Sequence, residues 1–129
     1  MAEEKKLHTI LIVEDDEYMI QALEEKFKSS GFETMTAKNG EEGLKLALEK
    51  HPDLIILDIL MPKMDGLTML KHLKTDPWGN TASVMVLTNL SDNDKLAEAL
   101  EIGVVEYVIK AEVQLSEIIS KAKRILGMI

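Results

Sequence analysis

The 129-residue chain contains no cysteine, so it has neither a disulfide framework nor thiolate chemistry. No apolar stretch approaches the ~20 residues that a bilayer span needs. The N-terminal Met1-Ala2-Glu3-Glu4-Lys5-Lys6 lacks the apolar region of a signal peptide. Positive charge is scarce, with 15 Lys and Arg against 23 Asp and Glu, a net charge of −8 and a pI near 4.9. Such a surface repels a nucleic-acid backbone or an anionic membrane over most of its area, and suits cations and protein partners better. No linker, low-complexity segment or internal repeat divides the chain, and its length is that of one hydrophobic core. The resulting expectations are a single domain over residues 1–129, with a core over about 8–127, in the cytoplasm, without direct contact to nucleic acid or membrane.

What the chain does have is a hydrophobic period that alternates between short apolar runs and longer amphipathic ones, the pattern of repeated βα units. Thr9 to Val13 reads as a first strand. The helix after it runs from about Glu17 to Ser30, with Met19, Leu23 and Phe27 on one face and Gly31 as its stop. Phe32 to Thr36 is a weaker second strand. Asn39 followed by Glu42 resembles a capping box, opening a helix that carries Leu44, Ala47 and Leu48 and ends before Pro52. The third strand is a wholly aliphatic run closing at Asp58, and its helix spans about Leu67 to Lys74. Ser83 to Thr88 is the fourth strand, followed by a helix started by Ser91-Asp92 and bearing Leu96, Ala99 and Leu100. Val104 to Ile109 is the fifth, before a last helix with Leu115, Ile118, Ile119, Ala122, Ile125 and Leu126.

Five such units make a parallel sheet with right-handed crossovers and helices on both faces, so all strand carboxyl ends share one edge. That edge collects Glu14-Asp15-Asp16 after strand one, Asp58 after strand three, Thr88 after strand four and Lys110 after strand five. Open α/β sheets bind ligands there. Crowded carboxylates repel, and a proton or a bound cation resolves the repulsion. Oxygen-only ligands without histidine or cysteine indicate a hard ion, magnesium before zinc. A lysine and a threonine hydroxyl beside them are equipment for stabilising a transferring phosphoryl group, and an aspartate can itself accept phosphate as an acyl phosphate.

In this order and spacing, Ile12-Val13-Glu14-Asp15-Asp16, Leu57-Asp58-Ile59-Leu60-Met61-Pro62-Lys63-Met64-Asp65-Gly66, Val86-Leu87-Thr88 and Tyr107-Val108-Ile109-Lys110 resemble the receiver domains of two-component response regulators. The likeness spans Ile10 to Leu126. It implies a flavodoxin-like (βα)5 three-layer sandwich whose five-stranded parallel sheet has the order 2-1-3-4-5. It implies that Asp58 accepts phosphate from a sensor histidine kinase or histidine phosphotransfer protein. Magnesium would be held directly by Asp15, through water by Glu14, and by Asp58 and the Leu60 backbone carbonyl. Thr88 would bond a phosphoryl oxygen, Lys110 would pair with its charge, and Tyr107 would follow the movement of Thr88. A downstream protein would read the face built from the fourth helix, fifth strand and fifth helix. The chain would catalyse only its own phosphorylation and dephosphorylation.

Three departures stand against that pattern. Ala111 follows Lys110 where the family usually has proline, which leaves two outcomes, a trans bond with a rearranged loop or a strained cis bond. Asn89 follows Thr88 where a small residue is common, and would narrow access to the acyl phosphate or slow the motion of Thr88. Ile20 stands where many relatives carry arginine. Leu60 and Leu90, two residues after Asp58 and Thr88, cannot orient water by hydrogen bonding, which predicts a long-lived phosphorylated state. The competing readings are a degenerate receiver that binds partners without phosphate, and a small aspartyl phosphatase. The latter would carry a second aspartate where this chain has Leu60. A nucleotide-binding domain lacks its glycine-rich loop after strand one.

Overall fold

A computed structural model describes residues 7–129. Five strands, β1 (Thr9–Val13), β2 (Glu33–Ala37), β3 (Leu54–Leu57), β4 (Val84–Thr88) and β5 (Glu106–Ile109), pair in parallel in the order β2-β1-β3-β4-β5. Between and after them run α1 (Glu17–Ser29), α2 (Gly40–Lys50), α3 (Gly66–Thr75), α4 (Asn93–Ile102) and α5 (Leu115–Ile125), with short 3-10 turns at Gly79–Thr81 and Lys110–Glu112. This is the flavodoxin-like three-layer sandwich expected from the sequence.

Because alternate strand residues face opposite sides, the sheet splits its aliphatics between two cores. Leu11, Val13, Ile55, Leu57, Val84 and Val86 meet the α2, α3 and α4 side. Ile10, Ile12, Leu54, Ile56, Met85, Leu87 and Val108 meet α1 and α5. The central strand β3 is buried at every position, which is why it shows no hydrophobic alternation. Each such side chain contributes ~1.5–3 kcal/mol of burial, so the centre of the sheet is its most firmly held part.

Five elements differ from the sequence reading. β2 begins at Glu33 because Phe32 belongs to the end of α1: its N–H donates to Phe27 O at 3.0 Å and its ring packs edge-on against Phe27. β5 begins at Glu106 because Val104 donates its N–H to Ala99 O, closing the end of α4 after Gly103 at φ 114°. The apolar stripes of α2 and α4 are thinner than expected. Leu48 is 36% and Leu100 52% exposed, and Ala99 is the one buried residue of α4. On α1 it is Ile20, rather than Met19, that is buried with Leu23 and Phe27. Asn39 caps α2 through Glu42 N–H at 2.9 Å, but the Glu42 carboxylate reaches the Lys38 N–H, so the box does not close on Asn39 itself.

Candidate functional site

The carboxyl edge of the sheet is extended one residue beyond β1 and β3 by backbone bonds. Glu14 N–H donates to Ala37 O at 2.9 Å and Asp58 N–H to Val13 O at 3.0 Å. Both side chains are thereby fixed where their strands run out. Glu14 is 2% and Asp58 6% exposed. Glu14 Oε2 accepts the N–H groups of Asp15 and Asp16, Asp16 caps α1 through Tyr18 N–H, and Asp15 is left exposed at the mouth. Glu14, Asp15 and Asp58 bring carboxylate oxygens within 4.8 Å of one another.

On the other side of Asp58 the chain must turn sharply into α3, and Gly66 makes this possible. A Cβ there would stand 2.2 Å from Asp58 O. Gly66 N–H donates to Ile59 O, and Asp65 caps the helix through Thr68 N–H at 2.8 Å. Lys63 takes a left-handed conformation, φ 65°, as the loop folds back, and the next carbonyl, Met64 O, receives Gly40 N–H at 2.9 Å. Leu60 N–H donates to Asp58 Oδ1 at 3.2 Å.

Lys110 joins this cluster from β5. Its ammonium donates to Asp58 Oδ2 at 2.8 Å and to Glu14 Oε1, so one positive charge faces three carboxylates. Burial pushes the Glu14 carboxyl up from 4.5 to about 7, with the hydrogen bond from Lys110 opposing the rise and the charge of Asp58 adding to it. Burial pulls the Lys110 ammonium down, but its bonds to Asp58 and Glu14 outweigh that and hold it above the ordinary lysine value. The Lys110–Ala111 bond is trans. The loop keeps the lysine in reach by winding into the 3-10 turn Lys110–Glu112, which settles the first departure. It also removes the motive for a phosphate-independent receiver.

Thr88 and Tyr107 stand beside the cluster but are bonded elsewhere. Thr88 is fully buried, and its Oγ1 accepts Leu90 N–H at 3.3 Å. This leaves the hydroxyl hydrogen free to donate. The half-buried Tyr107 donates its hydroxyl to Leu90 O at 2.7 Å, while burial, followed by the charges of Asp58 and Asp92, raises its phenol above the ordinary value. Beside the carboxylates a cleft of about 460 Å³ opens between α3 and α4. Asp15, Leu60, Met61 and Leu90 line it, and Lys71 and Glu98 meet across it at 2.6 Å. An all-oxygen donor set in a partly buried acidic cluster fits a hard cation such as magnesium.

One contact had no counterpart in the sequence reading: Asn89 Oδ1 accepts the N–H of Ala111 at 3.1 Å. Its signal was present in the two departures, an amide after Thr88 and a residue with an N–H after Lys110. His51 stacks on Trp78 with ring centroids 4.2 Å apart at the opposite end of the sheet. No described helix is long and apolar enough to cross a membrane.

The chain is similar over residues 10–123 to the model of the response regulator receiver domain. It is 38% identical over 117 residues to the transcriptional regulatory protein PrrA of Mycobacterium tuberculosis, covering 91% of this chain and 49% of that one. It thus spans about half the length of such curated relatives. Among solved structures it resembles the signal receiver domain of a signal transduction histidine kinase from Syntrophus aciditrophicus, with a TM-score of 0.84 and 35% identity over 93% of this chain and 90% of that one. It also resembles the CheX–CheY complex with BeF3 and magnesium from Borrelia burgdorferi, with a TM-score of 0.84 and 26% identity over 92% and 89%. With five parallel strands in the order 2-1-3-4-5 and an acidic cluster at their carboxyl edge, this chain belongs to the response regulator receiver domains of two-component signalling systems.

Proposed function

We propose that Asp58 is the phosphoacceptor of a phosphorelay, taking a phosphoryl group from a phosphohistidine on a sensor histidine kinase or histidine phosphotransfer protein. The observation that carries this reading is the placement of Asp58. It is nearly buried at the end of the central strand, with the Lys110 ammonium 2.8 Å from one carboxylate oxygen. An Asp58 oxygen forms the new P–O bond as the P–N bond of the donor breaks. The electron pair leaves with the imidazole nitrogen, which takes a proton from solvent. Lys110 balances charge on the phosphoryl oxygens, and Thr88 donates its free hydroxyl hydrogen to one of them. Asp15, Glu14, Asp58 and the Leu60 carbonyl would hold magnesium, which when bound supplies positive charge shared between carboxylates and phosphoryl group. Hydrolysis of the acyl phosphate returns Asp58 and releases phosphate. The aliphatic Leu60 and Leu90 lining the adjacent cleft give an attacking water no hydrogen-bonding side chain, which supports a long-lived phosphorylated state.

The output runs from Thr88 through Leu90 to Tyr107, and a downstream protein reads the face of α4, β5 and α5. The lightly packed α4 and the exposed Leu100 and Val105 support that choice. The chain acts as one cytoplasmic receiver unit over residues 1–129, turns over no external substrate beyond its own phosphodonor, and contacts neither nucleic acid nor membrane directly. Incubation with magnesium and phosphoramidate, followed by intact mass measurement, tests the reading. Wild type should gain one phosphate and Asp58→Asn none; equal uptake by both would refute it.

A further inference from the structure

The 3-10 turn that carries Lys110 buries none of its three residues and starts at Ile109 without a side-chain cap. Core packing reaches the turn only at its end, where the half-buried Val113 meets the α1 and α5 core, yet the Lys110 ammonium must span from this turn to Glu14 and Asp58. Among the described residues, one side-chain hydrogen bond reaches the backbone of the turn. It runs from Ala111 N–H to Asn89 Oδ1 at 3.1 Å. Proline at 111 would have no N–H to offer, so the contact depends on both departures at once. Asn89 is also joined to the neighbouring responders by sequence. Thr88, on one side of it, accepts the N–H of Leu90, on the other, and Leu90 O holds the Tyr107 hydroxyl.

We infer that Asn89 is a positioning residue for the phosphoryl-transfer site: by holding Ala111 N–H it keeps the Lys110 turn where the ammonium reaches Asp58. This rests on the reading of Asp58 as the phosphoacceptor. A purely steric role for Asn89, crowding the approach to Asp58, makes the opposite prediction, because trimming the side chain would then speed phosphorylation. Holding the turn predicts that trimming slows it by about fivefold, the worth of one neutral hydrogen bond, and only while Lys110 is present.

The test compares initial phosphorylation rates with magnesium and phosphoramidate for wild type, Asn89→Ala, Lys110→Ala and the double variant. Amide exchange at Ala111 is followed without phosphodonor, adding Asn89→Asp, which keeps the acceptor oxygen. Asn89→Ala should be about fivefold slower, should exchange faster at Ala111, and should add no further loss to Lys110→Ala. Asn89→Asp should retain the slow exchange. An unchanged or faster rate in Asn89→Ala, a loss that persists beside Lys110→Ala, or unaltered Ala111 exchange would overturn the inference. A wild type that accepts no phosphate would instead refute the phosphoacceptor reading, while Ala111 exchange would still decide whether Asn89 holds the turn.

Discussion

The two halves of the carboxyl edge are held by different means. On the β1–β3 side, Glu14 and Asp58 continue the sheet through their own backbone bonds, β3 is buried throughout and β1 from Ile10 onward, and Gly66 lets α3 start against the Asp58 carbonyl. On the β4–β5 side the buried β4 pairs with β5 up to Thr88 and Ile109, but beyond that ladder α4 buries one residue, the Lys110 turn buries none, and the loops and α4 are linked by single side-chain bonds: Tyr107 to Leu90, Asn89 to Ala111 and Lys71 to Glu98. On the proposed function, the acceptor that must meet a donor in fixed geometry would sit on the rigid half, and the groups that respond would sit on the more lightly held half. Low-stability segments are where switching elements are found.

The largest effect that sharpens this contrast is in the protonation of the rigid half. The folded value of about 7 for Glu14 lies above its value of 4.5 in the absence of burial. The proton on Glu14 therefore contributes stability that is complete below 4.5 and is lost as pH rises through about 7. On the proposed reading magnesium needs the carboxylate, so its affinity should rise about fiftyfold between pH 5 and 7, about twofold more above that, and then level off. Titration calorimetry across that range checks this, and Glu14→Gln should flatten the profile. At pH 7 and above, millimolar magnesium should raise the melting temperature. No rise in wild type, with Asp58→Asn also without effect, would count against the cluster.

Next come paired glycine substitutions. Gly66→Ala drives a methyl group into Asp58 O and Ile59 Cα and should cost about 2 kcal/mol in urea unfolding. Gly103→Ala, at φ 114° with nothing within 4 Å, meets only left-handed strain on the soft half and should cost about 1 kcal/mol. Equal costs would break the contrast. A smaller effect concerns persistence. The isolated phosphorylated protein should keep its phosphate for minutes or longer, and Leu60→Asn should shorten that lifetime about tenfold by holding water for attack. Loss from wild type within seconds, followed by released phosphate, would exclude the aliphatic barrier.

The two central strands of the rigid half were the part most legible from residues alone. Leu54 to Leu57 followed by Asp58, and Thr9 to Val13 followed by Glu14-Asp15, carry both the burial and the edge position of the acids in their local pattern. On the soft half Thr88 and Lys110 were legible as strand-end residues, but the helix and loops around them were less so. Val104 looked like a strand residue and instead closes α4. Leu100 looked like core and is exposed. Asn89 looked like an obstacle, and its bond to Ala111 lies 22 residues away. A helix held by one buried alanine and the half-buried Ile102 leaves only a faint periodic signal.

Hydrogen exchange measured by mass spectrometry, on wild type and Asp58→Asn treated with magnesium and phosphoramidate, tests the central claim most directly. Wild type alone should take up phosphate and change its exchange in residues 88–113, while residues 9–14 and 54–58 stay protected. An identical change in Asp58→Asn, or a change spread evenly over both halves of the edge, would contradict a fixed acceptor coupled to a movable responder.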